Sequence, residues 1–303
     1  MPLHVWSSAE YGFPLPPGHR FPLAKYALLR ERVVAEGVVS AECVHRPARV
    51  TRGELLAVHT ADYVDRFTLG ALTPAEERRL GFPWSQALVE RSYRTAGATV
   101  EAARYAMDHG IAMNLAGGTH HAFPDHGEGF CVFNDVAVAI RTLQREGRIG
   151  RAAVIDLDVH QGNGTHAVFA GDAGVFTFSM HGARNYPFRK VPGRLDIELA
   201  DRAGDDEYLG ALAAALPRVL DEAQPEFVAY LAGADPHERD RLGRLSLSVE
   251  GLARRDSLVM DQCREVGLPV VVTIAGGYGV AIDETVRIHV GTARIAARYS
   301  ASH

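Results

Sequence analysis

Residues 152–164 read AAVIDLDVHQGNG, and the fold turns on how they are understood. The run from Ala152 to Leu157 is almost wholly apolar, carries β-branched residues and is too short for a helix. Such a run reads as a strand buried on both faces. It closes in Asp156, Asp158 and His160, then breaks at Gly162 and Gly164. Side chains alternate along a strand, so residues two apart share a face. These three polar groups therefore gather on one side of a strand end.

Outward from this stretch the same pattern recurs. IAMNLA (111–116) runs into Gly117-Gly118-Thr119-His120-His121, and GVFTFSM (174–180) into His181-Gly182. FVAYLAGA (227–234) is followed by Asp235, and VVVTIA (270–275) by Gly276-Gly277-Tyr278-Gly279. A further short strand is expected around Val5. Helical patterns span 22–36, 85–109, 134–146, 205–223, 248–266 and 280–298. Strands alternating with helices predict an α/β domain of three layers, with a central, mostly parallel sheet flanked by helices. Without a linker, repeat or low-complexity segment, residues 1–303 read as a single domain. Open parallel sheets bind ligands at the carboxyl ends of their strands. His120, His121, Asp158, His160, Asp235 and Tyr278 are thus expected along one sheet edge.

Composition narrows the function classes. Of 303 residues, 47% are apolar and 23% charged, which suits a large core and excludes a disordered chain. The net charge of −5 gives no electrostatic reason to expect a nucleic-acid partner. Arginines alternate with acids, as in EERRL (76–80) and HERDRLGR (237–244), the pattern of a solvated mixed-charge face. Cys43, Cys131 and Cys263 lack CxxC spacing, which argues against disulfides or a thiolate metal site and for a reducing compartment. Neither a leader-like N-terminus nor an apolar stretch of about 18 residues is visible. The expectation is a cytoplasmic protein with no membrane span, as a monomer or small homo-oligomer.

A carboxylate and an imidazole at the end of one strand, Asp158 and His160, are reasonable zinc ligands, and Asp235 at another strand end could be a third. Alone, Asp-x-His would as readily cap the following helix; beside a histidine pair and a Gly-Gly-Tyr turn, the metal reading prevails. Three protein ligands leave one position open, as catalytic sites do. Oxygen-rich donors also admit Fe(II), Mn(II) or Co(II). His120 and His121 follow two glycines that let the backbone turn sharply. A histidine so placed can act as general base and then general acid, and two can divide that labour if their surroundings separate their pKa values. Asp156 and Asn163 are candidates to orient one ring each. His121 with Asn163 is the expected acid–base; His120, held by Asp156, is mainly electrostatic. The Tyr278 hydroxyl could donate to a carbonyl oxygen as negative charge develops there, an interaction of about 3 kcal/mol.

GGTHHAFPDHGEGFCVFND, IDLDVHQGNGT, LAGADPHERDRLGRLSLS and AGGYG, with VHTADYV upstream, resemble the sequence blocks of the histone deacetylase superfamily, in family order over about 59–279. DVHQGNG and DPHERDRLGRLSLS look closest to its class IV branch and bacterial relatives. The resemblance implies an arginase/deacetylase-like fold, zinc on Asp158, His160 and Asp235, the tandem His120 and His121, and Tyr278 as carbonyl-polarising hydroxyl. It also implies a structural potassium ion near Asp156, using the carbonyls of Asp158 and His160 and the Ser179 hydroxyl. Gly129, Phe130 and Gly277 would line a narrow substrate channel, with Tyr186 facing Phe130. The implied substrate is an acyl-lysine, acetyl or longer, in a protein or peptide. Small acyl-amines such as acetylpolyamines are the alternative; Asp125, Glu128 and loop 10–20 would then make the mouth acidic. A catalytically silent acyl-lysine-binding module is a rival of another class. The sequence departs from class I members at Asn163, where they carry Asp; class II and IV members share the Asn. A two-manganese arginase-type site would want carboxylates where Gln161 and Asn163 stand, so one metal is expected.

Overall fold

In chain order, the computed structural model, which describes residues 1–301, contains β1 (Val5–Trp6), α1 (Lys25–Ala35), β2 (Val44–His45), α2 (Arg52–Leu55), α3 (Ala61–Leu69), α4 (Pro74–Leu80), α5 (Gln86–His109) and β3 (Ile111–Asn114). There follow α6 (Asp135–Arg145), β4 (Ala152–Asp156), α7 (Asn163–Val168), β5 (Val175–Gly182) and β6 (Leu195–Leu199). The chain closes with α8 (Asp205–Ala223), β7 (Val228–Leu231), α9 (Val249–Glu265), β8 (Val270–Thr273) and α10 (Ile282–Ala301). The strands form one sheet in the order β2-β1-β3-β8-β7-β4-β5-β6, parallel throughout.

Alternation along the central strands explains the layers. Ala153, Ile155, Val228, Tyr230, Val270 and Val272 point to a core shared with α1, α8, α9 and α10. Their neighbours Ala152, Val154, Ala229, Leu231 and Val271 point the other way, to a second core with α5 and α6. Both faces are covered, so the strands are apolar at nearly every position.

Among the described residues, two strands and four helices (α2, α3, α4 and α7) go beyond the helical and strand patterns expected. β2 has only two residues, too few to leave a period. β6, LDIEL, alternates apolar and acidic residues and is mostly half-buried at the sheet edge. Helices α2 and α4 begin with capping boxes, Thr51 with Glu54 and Thr73 with Glu76, and Pro74 opens α4. These are local start signals that need no long apolar period.

The register positions the site. Asn114, Thr273, Leu231 and Asp156 stand side by side across β3, β8, β7 and β4. The four strands end level, so their following loops rise together from the middle of the sheet.

Candidate active site

Asp158 and His160 leave the end of β4, and Asp235 follows β7. One ligand atom from each lies within 4.8 Å of the others, and all three residues are buried. The backbone holds the carboxylates in place: Asp158 Oδ2 accepts from Gly276 N–H at 2.7 Å, and Asp235 Oδ1 from Val159 N–H at 3.0 Å. Among the described residues Asp235 Oδ2 is buried without a hydrogen-bond partner, and it lies 3.3 Å from His160 Nδ1. Burial alone would lower the His160 pKa, yet Asp158 and Asp235 outweigh it and raise the group to about 10. Burial and the neighbouring Asp158 push the Asp235 carboxyl up to about 7. Two carboxylates shielded from water thus call for positive charge between them. Gly276 makes the approach of the strand ends feasible, for a Cβ there would lie 1.8 Å from Asp235 Oδ2. Two carboxylates, one imidazole and an orphaned oxygen suit a divalent cation such as zinc.

The histidine pair is set by its loop. Gly117 and Gly118 take left-handed φ values of 76° and 73°. Asp135, at the start of α6, accepts from Gly118 N–H at 3.1 Å and Thr119 N–H at 2.8 Å, pinning the turn. His120 Nδ1 then lies 2.6 Å from Asp156 Oδ2, and His121 Nδ1 lies 2.7 Å from Asn163 Oδ1. Their pKa values part as expected. Burial opposes the His120 cation, but Asp156 and Asp158 prevail and raise it to about 9. Burial, then His120 and His160, hold His121 well below its usual range. Asn163 Nδ2 donates to Glu128 Oε1 at 2.7 Å. Because a carboxylate can only accept, the amide oxygen must face His121, whose Nδ1 carries the proton and whose Nε2 is left as the base. Glu128, which the acetylpolyamine alternative would use as a mouth charge, fixes this amide.

Tyr278 is anchored by its main chain: its N–H donates to Asp240 Oδ2 at 2.6 Å and its carbonyl accepts from Arg241 Nε at 2.9 Å. Burial raises its pKa well above the usual range, so the hydroxyl keeps its proton. Lys25, buried under the turn, has Nζ 3.4 Å and 3.3 Å from the carbonyls of Ala275 and Gly277.

His120, His121, Asp158, His160 and Tyr278 all open onto one cavity of about 810 Å³. Phe130 and Tyr186 line it, as do the buried Leu88, Arg91, Ala96, Val132 and Phe133. The Phe130 ring neighbours Phe21, Phe82 and Tyr278, whereas Tyr186 stands edge-on to His121 at 4.9 Å. Gly129 and Phe130 both adopt left-handed φ, 56° and 67°. For Phe130 that costs on the order of 1–3 kcal/mol, a strain often kept at functional sites. One expectation is corrected. Gly277 does not line the cavity; Gly276 does. A Cβ on Gly277 would meet Thr285, Ala234 and His289 behind the turn.

Arg255 and Asp256 escaped the sequence reading. Arg255 is fully buried in α9, with Nε and Nη2 2.9 Å and 2.8 Å from Asp256 Oδ1. Its Nη1 donates to Gly233 O at 2.6 Å and Leu157 O at 3.3 Å, tying together the two strand ends that carry the metal-type ligands. The available signal was position. Leu252, Arg255, Asp256, Val259, Met260 and Cys263 follow the spacing of one helix face.

The family model of the histone deacetylase domain matches residues 19–293. A protein of Picosynechococcus sp. (strain ATCC 27264 / PCC 7002 / PR-6) of uncharacterized function is 45% identical over 92% of this chain and 93% of its own length. Histone deacetylase 2 of Arabidopsis thaliana is 32% identical over 86% of this chain and 70% of its own. Among solved structures, a histone deacetylase homolog from Aquifex aeolicus superposes with a TM-score of 0.87 at 26% identity, covering 99% of this chain and 84% of that one. A structure of such a homolog complexed with SAHA gives a TM-score of 0.86 at 27% identity, with the same coverage.

Proposed function

Because this chain belongs to the histone deacetylase family, we propose that it is a metal-dependent hydrolase that removes an acyl group from the side-chain amine of lysine in a protein or peptide. The observation that carries this reading is the juxtaposition of Asp158, His160 and Asp235 with a histidine pair of opposite charge tendency on one cavity. Held by those three residues, a zinc ion supplies Lewis acidity toward the amide carbonyl and the attacking water.

The chain's own groups do the rest. Tyr278 donates a hydrogen bond to the carbonyl oxygen as charge builds there. His121 Nε2, unprotonated at neutral pH, takes the proton from the attacking water and returns it to the departing amine. Asn163, fixed by Glu128, keeps the His121 ring in the tautomer that allows this. His120, cationic beside Asp156, adds positive charge close to the developing anion. Asp156 and Ser179 are buried register partners on neighbouring strands, and their oxygens suit a potassium ion.

An acyl chain longer than acetyl would meet both the apolar Leu88, Ala96, Val132 and Phe133 and the buried Arg91 in this cavity. An acetylpolyamine substrate would want an acidic mouth, but Asp125 is engaged by His126 and Glu128 by Asn163. The test is hydrolysis of one peptide bearing acetyl-, octanoyl- and myristoyl-lysine in turn, with acetylputrescine alongside. Turnover of the lysine peptides that is lost on chelation and restored by zinc is expected. Binding without turnover would make the chain a silent acyl-lysine reader, and turnover of acetylputrescine alone would reassign the substrate.

A further inference from the structure

Charges that alternate along the sequence are sorted in space at the cavity mouth. Arg20, Arg78, Arg79, Arg184, Arg241 and Arg244 line the cavity, and the one carboxylate among its lining residues is Asp158, in the metal-type site. Of the acids that accompany these arginines in sequence, Glu76, Glu77, Glu238 and Asp240, none lines the cavity. Glu76 closes the cap of α4 and pairs with Arg66. Asp240 accepts the backbone N–H groups of Leu242, Gly243 and Tyr278. Arg184 and Arg244 share the single carboxylate of Asp201. Arg20, Arg78 and Arg79 are exposed, with no ion pair among the described residues. This basic rim stands against a chain whose net charge is −5, so it is a local arrangement rather than a reflection of composition.

A cleft mouth of one sign, backed by low-dielectric walls, concentrates its field on whatever enters and repels like charge. We infer that the site selects acyl-lysines flanked by carboxylates, in acidic peptide segments, and disfavours polycationic ones. This inference rests on the hydrolase reading given above. The rim arginines would meet residues next to the acyl-lysine, while the acyl group itself goes to the metal-type site.

The test uses matched peptides with an acetyl-lysine flanked by Asp, Ser or Lys, together with free Nε-acetyl-lysine and its amide. With the zinc-loaded protein at an ionic strength of about 0.01 M, where screening reaches about 30 Å, kcat/KM for the Asp peptide should exceed that for the Lys peptide by roughly tenfold or more. At about 1 M the advantage should largely vanish. Replacing the unpaired rim charges in R20Q/R78Q/R79Q should cut the ratio severalfold without moving Tm. R218Q, on α8 away from the cavity, should leave the ratio where it was. Equal or reversed preference at low salt would overturn the inference. So would a carboxylate gain confined to free acetyl-lysine over its amide, because that would point to a small anionic acyl-amine. If no compound is hydrolysed, the hydrolase reading falls. Dissociation constants of the same peptides then decide the rim: tightest binding of the Asp peptide upholds it, and equal binding overturns it.

Discussion

Replacing Arg255 by methionine tests how far the core beneath the site holds the site together. The substitution keeps most of the side-chain volume and removes the charge. Among the described residues it leaves the buried Asp256 carboxylate with only the hydroxyls of Tyr230 and Thr292 for partners, at 2.5 Å and 2.6 Å. It also strips the donor from the carbonyls of Leu157 and Gly233. Removing one partner of a buried ion pair costs about 3–5 kcal/mol. With a urea slope near 3 kcal/mol/M, that is a drop of roughly 1–2 M in the unfolding midpoint. R255M/D256L, which removes both charges, should recover much of the loss, since an apolar replacement of a buried pair is often close to neutral. Asp158 and Asp235 lie one and two residues beyond the released carbonyls, so zinc retention against a chelator should weaken by about 10–100-fold, the usual effect of losing such support. A midpoint within about 0.3 M of the parent at an unchanged slope would refute the reasoning, as would zinc retention equal to the parent's in the folded variant.

Other outcomes follow from the same geometry. His121→Ala should lower kcat by about 10²–10⁴-fold with Tm preserved, measured on an acetyl-lysine peptide. Tyr278→Phe keeps the ring and the backbone anchors, so it should lower kcat by about 10²–10³-fold while peptide binding changes little. Gly276→Ala puts a methyl where only 1.8 Å separates it from Asp235 Oδ2, so metal content after dialysis should collapse. In chelated protein His120 and His160 are raised to about 9 and about 10 from an ordinary 6.5. A group whose pKa is raised by folding stabilises fully below its unfolded pKa and loses that contribution as pH climbs through the folded one. The chelated protein's Tm should therefore fall between pH 7 and 10; a flat profile would show that these histidines are not held as cations.

Much of this arrangement is legible in the sequence because parallel strands buried on both faces leave unbroken apolar runs. Runs 111–116, 152–158, 174–180, 227–234 and 270–275 all overlap strands, and the polar residues just after all but 174–180 converge. Strand ends dictate position strongly enough that Asp235, far along the chain from Asp158 and His160, is brought within reach of one ion with them. What escaped was whatever depends on side chains meeting across elements. Arg255 looks like part of a charged RRD triplet until helix α9 buries that face. Glu128 looks like a surface acid until Asn163 claims it. Gly277 shares a glycine-rich turn with Gly276, and only the turn's geometry tells which of them faces the cavity. The arginines of EERRL and HERDRLGR read as a mixed face because sequence adjacency does not reveal which charges point the same way.

The most direct test of the account is bound metal per chain, determined by elemental analysis after zinc loading and exhaustive dialysis, for the parent and for Asp235→Ala. One equivalent in the parent and almost none in the folded variant is the predicted result. Two equivalents in the parent, or one retained without Asp235, would contradict it.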